Sequence, residues 1–232
     1  MALIVRIDVD RPYGKRPLLR HFLSRLGSDL WFPAIPGLGY LAELNWMLQA
    51  LNERGARAHV FFRRCTLPGP VTLALLRQGG HVSGLHLENS RSFASFAKEK
   101  ALLERHLRAP VRALSKHGSG QARYGRRHYA PYEPAKYVAW ARQIGMNVFL
   151  GNLEDPSLRP ERVDGEFVSF PSAFWLEPPW RDTAKFSLDW LLSRARTSDT
   201  VLLVHPENVL ASAELTRSFT DLLAALPTRT LP

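Results

Sequence analysis

Short apolar runs alternate with longer amphipathic segments along the whole chain of 232 residues. Short apolar runs are typical of buried strands, whereas apolar residues three and four positions apart indicate helices. Seven strands are predicted in the segments LIVRID (3–8), ARAHVFF (56–62), HVSGLHL (81–87), VRALSKHG (111–118), NVFL (147–150), EFVSFPS (166–172) and TVLLVHP (200–206). Their alternation with helices predicts an α/β fold, either a parallel barrel or an open doubly wound sheet.

Six helices are predicted in the segments that separate or follow these strands. They cover residues 39–55, 68–80, 92–107, 134–145, 186–196 and 212–226. Gly55 is expected to end the first helix, Ser92 to cap the start of the third, and Pro134 to lie in the first turn of the fourth. Because the chain contains neither an internal repeat nor a linker, we expect a single domain over residues 1–232.

Acidic and imidazole side chains recur at the carboxyl ends of the predicted strands. These residues are Asp8, Asp10, His86, His117 and His205. In parallel α/β folds, the carboxyl ends of the strands gather on one face, where active sites form. Asp8 and Asp10 point to the same side of their strand and would repel each other unless a cation, a base or solvent separates them. Aspartate and histidine together suit a divalent metal, Zn²⁺ most readily.

The composition limits the class of protein, its cysteine chemistry and its expected location. Apolar residues make up 45% and charged residues 22% of the chain, which is ordinary for a soluble globular protein. The single cysteine, Cys65, excludes an internal disulfide and a cysteine metal cluster. We find no secretory signal and no apolar stretch of the roughly 20 residues that cross a bilayer, so we expect a cytoplasmic protein without a membrane span.

The formal net charge of +10 favours polyanionic partners such as nucleic acid, anionic lipid, acidic glycan or nucleotide-sugar. The basic residues are spread over several loops and helix faces, however, and no nucleic-acid motif accompanies them. A solvated basic surface is therefore as good an interpretation as a polyanion site, and nucleic acid is not the expected partner. The sequence leaves the oligomeric state open.

Four segments together resemble the motifs of the polysaccharide deacetylase (NodB homology, carbohydrate esterase 4) superfamily. The segments are IDVDRPYG (7–14), GGHVSGLHLENS (79–90), LSKHGSG (114–120) and VLLVHPENV (201–209). The likeness is to a divergent branch of the type found in lipopolysaccharide O-antigen clusters. One residue separates the two aspartates that the family places side by side, and Ser90 stands where the family has its second metal-binding histidine.

The resemblance implies a distorted (β/α) barrel of about seven parallel strands and a metal-dependent carbohydrate de-N-acetylase. The roles that it implies are a general base for Asp8, a general acid for His205, and metal ligands for Asp10, His86 and His117. The third ligand stays open, because Glu88 and His128 are rivals of His117. The implied cofactor is a divalent metal, with Zn²⁺ the first choice.

The implied substrate is an amino sugar, carried as a nucleotide-sugar, a lipid-linked glycan or a polymer. Arg11, Tyr13, Glu88 and Trp175 are the candidate substrate contacts. Lys15, Trp31 and Phe32 are further candidates in the long segment that follows the first strand. Solvated charge and packing beneath a loop are the competing interpretations of these residues.

Two other functions fit parts of the sequence. A catalytically degenerate barrel could bind glycan or polyanion, and the missing second histidine favours this alternative. A phosphatase could use the Asp-x-Asp spacing of Asp8 and Asp10, although its strand-end Ser or Thr and later acidic pair have no clear counterpart. The metal content of the purified protein distinguishes these functions: one tightly bound metal ion per chain favours the hydrolase over the degenerate barrel.

Overall fold

A single curved sheet forms the centre of the computed structural model, which describes residues 1–14, 19, 22–24, 26, 34–163 and 165–232. The strands in these residues are β1 (Leu3–Val9), β2 (Ala58–Phe62), β3 (Val82–Leu87), β4 (Ala113–Lys116), β5 (Val148–Leu153), β6 (Glu161–Val163), β7 (Phe167–Ser172), β8 (Phe174–Trp175) and β9 (Thr200–Val204). Their order in the sheet is β6-β7-β5-β4-β3-β2-β1-β9-β8. Eight strands run parallel, and β6 pairs antiparallel with β7.

The sheet curls into a nearly closed barrel with an apolar interior. Ile4 from β1 and Phe61 from β2 belong to the same buried cluster as Phe170 from β7 and Val201 from β9. In addition, Arg6 of β1 donates to the carbonyls of Leu150 and Gly151 in β5, although three strands separate β1 from β5 in the sheet order, so the sheet must bend round on itself. The predicted distorted (β/α) barrel is therefore confirmed.

All seven predicted strands are present, and the structure adds two short ones. β6 has three residues and β8 has two, so neither is long enough to show a strand pattern in the sequence. β8 adds the eighth parallel strand beside β9, through pairs between Phe174 and Leu202 and between Trp175 and Leu203. The eight parallel strands of the described residues agree with the prediction of about seven.

The six predicted helices are also present and cover the outside of the barrel. Among the described residues from 34 onward, the α-helices are α1 (Ala42–Glu53), α2 (Pro70–Gly79), α3 (Phe93–Leu107), α4 (Pro134–Gln143), α5 (Leu188–Thr197), α6 (Pro206–Val209) and α7 (Ala213–Ala225). The unpredicted α6 is a single turn directly after β9. The Ser92 hydroxyl accepts a hydrogen bond from the Ser95 N–H and so caps α3, as predicted. Among the described helices, none is both long and apolar enough to cross a bilayer.

Parallel pairing brings the polar strand ends to one rim of the barrel. Ile7 of β1 lies opposite Val204 of β9, so the next residues along the two strands, Asp8 and His205, are at the same level. The N–H of His117 donates to the Leu87 carbonyl at 2.9 Å, which continues the β3–β4 ladder by one residue. The predicted site residues therefore converge at the carboxyl ends of the strands.

Candidate metal centre and active site

Three side chains turn their ligand atoms toward one point at this rim. The Oδ1 atom of Asp10 lies 3.1 Å from Nε2 of His86 and 2.9 Å from Nδ1 of His117. The two imidazole nitrogens are 3.2 Å apart. An ion about 2.0–2.2 Å from each ligand atom holds the ligands at roughly such mutual separations. The structure thus brings Asp10, His86 and His117 together as one candidate metal site.

The protonation of these groups fits a cation at the point where they meet. Asp10 Oδ1 is buried and forms no hydrogen bond with the described residues. Burial and the nearby Arg63 guanidinium lower the pKa of His117 to about 3, so its imidazole is neutral and carries a lone pair. Nδ1 of His86 lies 2.6 Å from the Ser115 hydroxyl, which leaves Nε2 to face the site. A histidine bonded in this way through its second nitrogen is the usual arrangement of a metal ligand.

Asp8 lies beside the candidate metal site and is held by an arginine from its own strand. Both carboxylate oxygens accept from Arg6, Oδ1 from Nε at 2.9 Å and Oδ2 from Nη2 at 2.6 Å. Burial opposes ionisation of Asp8, but the Arg6 guanidinium outweighs it, and the pKa of Asp8 is lowered. Oδ2 is 3.6 Å from His86 Nε2. Asp8 is therefore an ionised carboxylate next to the metal ligands.

His205 also borders the candidate metal site. Its Nε2 atom lies 3.8 Å from Oδ2 of Asp10, and its Nδ1 atom lies 2.9 Å from Oε1 of Glu177. The same Glu177 oxygen accepts from the His205 backbone N–H and from the Asn208 amide. Burial disfavours the imidazolium, but the Glu177 carboxylate outweighs it and raises the pKa of His205 to about 10. His205 is therefore protonated at neutral pH.

These groups line a cavity of about 560 Å³. Asp8, Asp10, His86, His117 and His205 all contribute to its wall, as do Arg11, Tyr124, Trp175, Trp180 and Glu207. The cavity is within the size range of pockets that bind small molecules. The rings of Trp175 and Trp180 pack against each other with centroids 5.8 Å apart, and each also contacts the His205 ring.

The four candidate substrate contacts differ in where they lie. Arg11 lines the cavity, with Nε 3.7 Å from Oε1 of Glu207, and Trp175 lines it beside His205. Tyr13 is buried, and its hydroxyl accepts from the Ile35 N–H at 3.1 Å. Glu88 is buried in an ion pair with Arg63. Substrate contact by these four residues stays a prediction, and Lys15, Trp31 and Phe32 lie outside the described residues.

The rivals of His117 as third ligand are engaged elsewhere. In His128, Nε2 lies 2.7 Å from the His117 carbonyl oxygen, and Nδ1 accepts from the Tyr124 N–H at 3.1 Å. Glu88 Oε1 accepts from the Arg63 guanidinium. The three-residue cluster at this rim includes neither of them. The geometry therefore favours His117.

Sequence reasoning missed three buried residues that organise the site. Arg6 could have been recognised in the sequence, because a charged residue in the middle of an apolar strand, two positions before Asp8, needs a partner. Glu177 follows β8, which is too short to be recognised in the sequence. Asn152 lies beyond the predicted end of the fifth strand, within a part of β5 where the pairing register with β7 shifts.

Comparison with solved structures shows which known proteins share this fold. A protein from Mycobacterium smegmatis assigned as a polysaccharide deacetylase is 15% identical, with a TM-score of 0.60 over 96% of this chain and 82% of that one. The Puue allantoinase is 12% identical, with a TM-score of 0.57 over 96% and 83% of the two chains. A chitin deacetylase from the fungus Colletotrichum lindemuthianum is 13% identical, with a TM-score of 0.50 over 98% and 84%.

The fold is therefore that of the NodB-like polysaccharide deacetylases, as the sequence motifs predicted. No protein-family model and no curated protein matches the chain. At identities of 12–15%, these comparisons establish the fold alone, and the activity must be argued from the site.

Proposed function

We propose that the protein is a divalent-metal-dependent hydrolase that removes the N-acetyl group from an amino sugar. The observation that carries this proposal is the convergence of the Asp10, His86 and His117 ligand atoms, at separations of 2.9–3.2 Å, between an ionised Asp8 and a protonated His205. A metal ligand set flanked by one base and one acid is what hydrolysis of an amide requires.

Asp10, His86 and His117 would hold the ion, with Zn²⁺ the metal that this donor set suits best. When bound, such an ion polarises the acetyl carbonyl and lowers the pKa of a water molecule from about 15.7 toward about 7. The imidazole of His117 is buried and neutral, and its Nδ1 atom lies 2.9 Å from the buried Oδ1 of Asp10, so both atoms are placed to bind one cation.

Asp8 acts as the general base in this proposal. Its carboxylate is fixed by two hydrogen bonds from Arg6, yet each oxygen keeps a lone pair for a proton. The attacking water gives a proton to the Asp8 carboxylate as it adds to the acetyl carbon. Asp8 Oδ2 lies 3.6 Å from the ligand atom of His86, so the base is next to the site where the ion would be held.

His205 acts as the general acid. Its Nδ1 is engaged with Glu177, so the proton available to the substrate is the one on Nε2, which faces Asp10 and the cavity. Donation of this proton to the sugar nitrogen lets the C–N bond break and releases the free amine. Glu177 stabilises the imidazolium before the transfer and keeps its ring oriented afterwards.

We further propose that the substrate belongs to surface-polysaccharide or O-antigen assembly in the cytoplasm, and that Trp175 and Trp180 pack against the sugar ring. The solved structures named for polysaccharide and chitin deacetylation support a glycan. The cavity of about 560 Å³ suits one or two sugar units better than a long polymer.

Acetate release tests this proposal. The zinc-loaded protein is incubated with N-acetylated nucleotide-sugars, lipid-linked sugars and chitin oligomers, and acetate is measured enzymatically. We expect release from at least one substrate, with activity lost on chelation and restored by Zn²⁺, and with D8N and H205A inactive although they retain metal. Metal-independent hydrolysis, or inertness toward the whole panel with metal bound, would contradict the proposal; phosphate release or glycan binding alone would favour the phosphatase or the degenerate barrel.

A further inference from the structure

Asn152 joins the two sides of the active site. This buried residue of β5 lines the cavity, and its Oδ1 atom accepts from Nη2 of Arg6 at 2.7 Å. Its Nδ2 atom donates to the carbonyl oxygens of Lys116, at 2.6 Å, and of Gly118, at 3.3 Å. These are the backbone carbonyls on either side of His117. One amide thus connects the arginine that holds Asp8 with the segment that carries the third metal ligand.

Chemistry fixes the orientation of this amide. The Arg6 guanidinium can only donate and the two backbone carbonyls can only accept, so the oxygen must face Arg6 and the nitrogen must face the carbonyls. The backbone of Asn152 is also held, because its N–H donates to the Tyr132 hydroxyl at 2.8 Å. A carboxylate at this position would keep the bond to Arg6 but would lose both donors and face two carbonyl oxygens.

Further hydrogen bonds fix the orientation of the Arg6 guanidinium, and with it the position of the Asn152 oxygen. Its remaining Nη1 atom donates to the carbonyls of Leu150 and Gly151, at 2.9 and 2.7 Å. With two bonds to Asp8 and one to Asn152, all five donors of the guanidinium are used.

An irregularity in β5 makes room for these bonds. Successive carbonyls of a regular strand point in opposite directions, but here the pairing register of β5 with β7 shifts between Leu150 and Leu153. Gly151 is required in this segment, because a Cβ atom there would lie 2.3 Å from the Pro171 carbonyl oxygen.

We propose that Asn152 is a positioning residue for metal binding, which sets the place of His117 relative to the Arg6–Asp8 pair. The inference rests on the proposed metal-dependent function. Hydrogen-bonding partners beyond the ligands orient the ligands, and their loss typically weakens metal affinity by about 10–100-fold. Asn152 would act through the backbone on both sides of a ligand rather than through the ligand's own side chain.

The test is metal affinity measured without substrate. The zinc dissociation constant of the wild type, N152D and N152A is determined by competition with a chromophoric chelator. The visible spectrum of each Co²⁺-substituted protein reports the geometry at the ion. N152A removes the amide without adding charge, so it serves if N152D does not fold. The matched control is N52D, because Asn52 also bridges two groups, the Leu75 carbonyl and His81, but lies on α1.

We expect both Asn152 variants to bind Zn²⁺ at least about 10-fold more weakly and to change the Co²⁺ spectrum. N52D should bind zinc as the wild type does, whatever its unfolding midpoint. Wild-type affinity and an unchanged spectrum in N152D or N152A would overturn the inference. If the wild type binds zinc but releases no acetate, only the proposed function fails. If the wild type binds no divalent ion, both fail.

Discussion

His117 and His205 are both buried at the same rim of the barrel, yet at neutral pH the first is uncharged and the second carries a positive charge. On the β4 side, burial and the Arg63 guanidinium lower the pKa of His117 to about 3. On the β9 side, the Glu177 carboxylate outweighs burial and raises the pKa of His205 to about 10. The ligand atom of His117 approaches Asp10 to 2.9 Å, whereas Nε2 of His205 stays 3.8 Å away.

The difference shows how environment assigns two roles to one type of side chain. A neutral imidazole offers a lone pair to a metal ion, and a protonated imidazole offers a proton to a leaving group. Burial disfavours the charged form of both imidazoles; near His117 the Arg63 guanidinium adds to this effect on the pKa, whereas near His205 the Glu177 carboxylate outweighs it. Changing those partners should therefore alter the two histidines in different ways.

The largest effect is expected from removing His117 itself. H117A loses one of three ligands, so we expect its zinc affinity to fall by more than about 100-fold and acetate release to fall to background. The control is H128A, which removes the neighbouring imidazole whose two nitrogens are engaged with backbone groups. Metal content after dialysis, measured by mass spectrometry, separates the variants. Loss of zinc from H128A but not from H117A would reverse the ligand assignment.

The next largest effect is expected from E177Q. Without the carboxylate, burial is opposed only by the charges of Asp10 and Glu207, and the pKa of His205 should fall from about 10 toward the neutral range. Less of the general acid is then protonated at pH 8, so kcat there should fall by roughly 10-fold or more, within the about 10²–10⁴-fold that a general acid contributes, while zinc binding is retained.

The pH dependence of kcat shows in which direction E177Q differs from the wild type. In the wild type, the His205 proton is lost only as pH rises through about 10, so this group permits activity up to that pH. In E177Q the activity should already decline as pH rises through the neutral range. E154Q is the control, since Glu154 also lines the cavity. Identical pH profiles of kcat for E177Q and E154Q would refute the role of Glu177.

A third buried histidine, away from this rim, should show the effect of burial on its own. Burial lowers the pKa of His59 to about 4, and its Nε2 accepts from the Leu231 N–H at 2.9 Å. The unfolded chain binds this proton near pH 6.5, so stability is fully present above about 6.5 and is lost as pH falls toward 4.

As pH falls from 7.5 to 5, preferential protonation of His59 in the unfolded chain lowers the free energy of unfolding by on the order of 2 kcal/mol. H59Q should flatten the dependence of the urea midpoint on pH over this interval, even if it is less stable at pH 7.5. H106Q, at an exposed histidine on α3, is the matched control and should leave the slope unchanged. An unaltered slope in H59Q would show that His59 is not held neutral by the fold.

The sequence pattern was sufficient to predict an α/β fold because most strands and helices are long enough to show their periods; it left a barrel and an open sheet as alternatives, and the motif resemblance implied the barrel. The helix predicted over 92–107 and the strand predicted over 3–8 each match an observed element within a few residues. Parallel strands then bring their carboxyl ends to one rim, so Asp10, His86, His117 and His205 could be placed together before any distance was known.

The supporting residues could not be predicted in the same way, because their roles depend on contacts between distant segments. Glu177 reaches His205 from 28 positions away, and Asn152 reaches Lys116 from 36 positions away. Neither residue lies in a segment with a clear strand or helix period. Arg6 is different, because a charged residue within an apolar strand is expected to be buried and to need an oppositely charged or hydrogen-bonding partner, although the sequence does not identify that partner.

The central claim is that Asp10, His86 and His117 hold one divalent ion, and crystals of the zinc-loaded protein test it most directly. Anomalous difference density recorded on both sides of the zinc absorption edge locates the ion without reference to activity. We predict one peak about 2.0–2.2 Å from Asp10 Oδ1, His86 Nε2 and His117 Nδ1. A peak bound by His128 or Glu88 instead of His117, or no peak between these atoms at saturating zinc, would contradict the account.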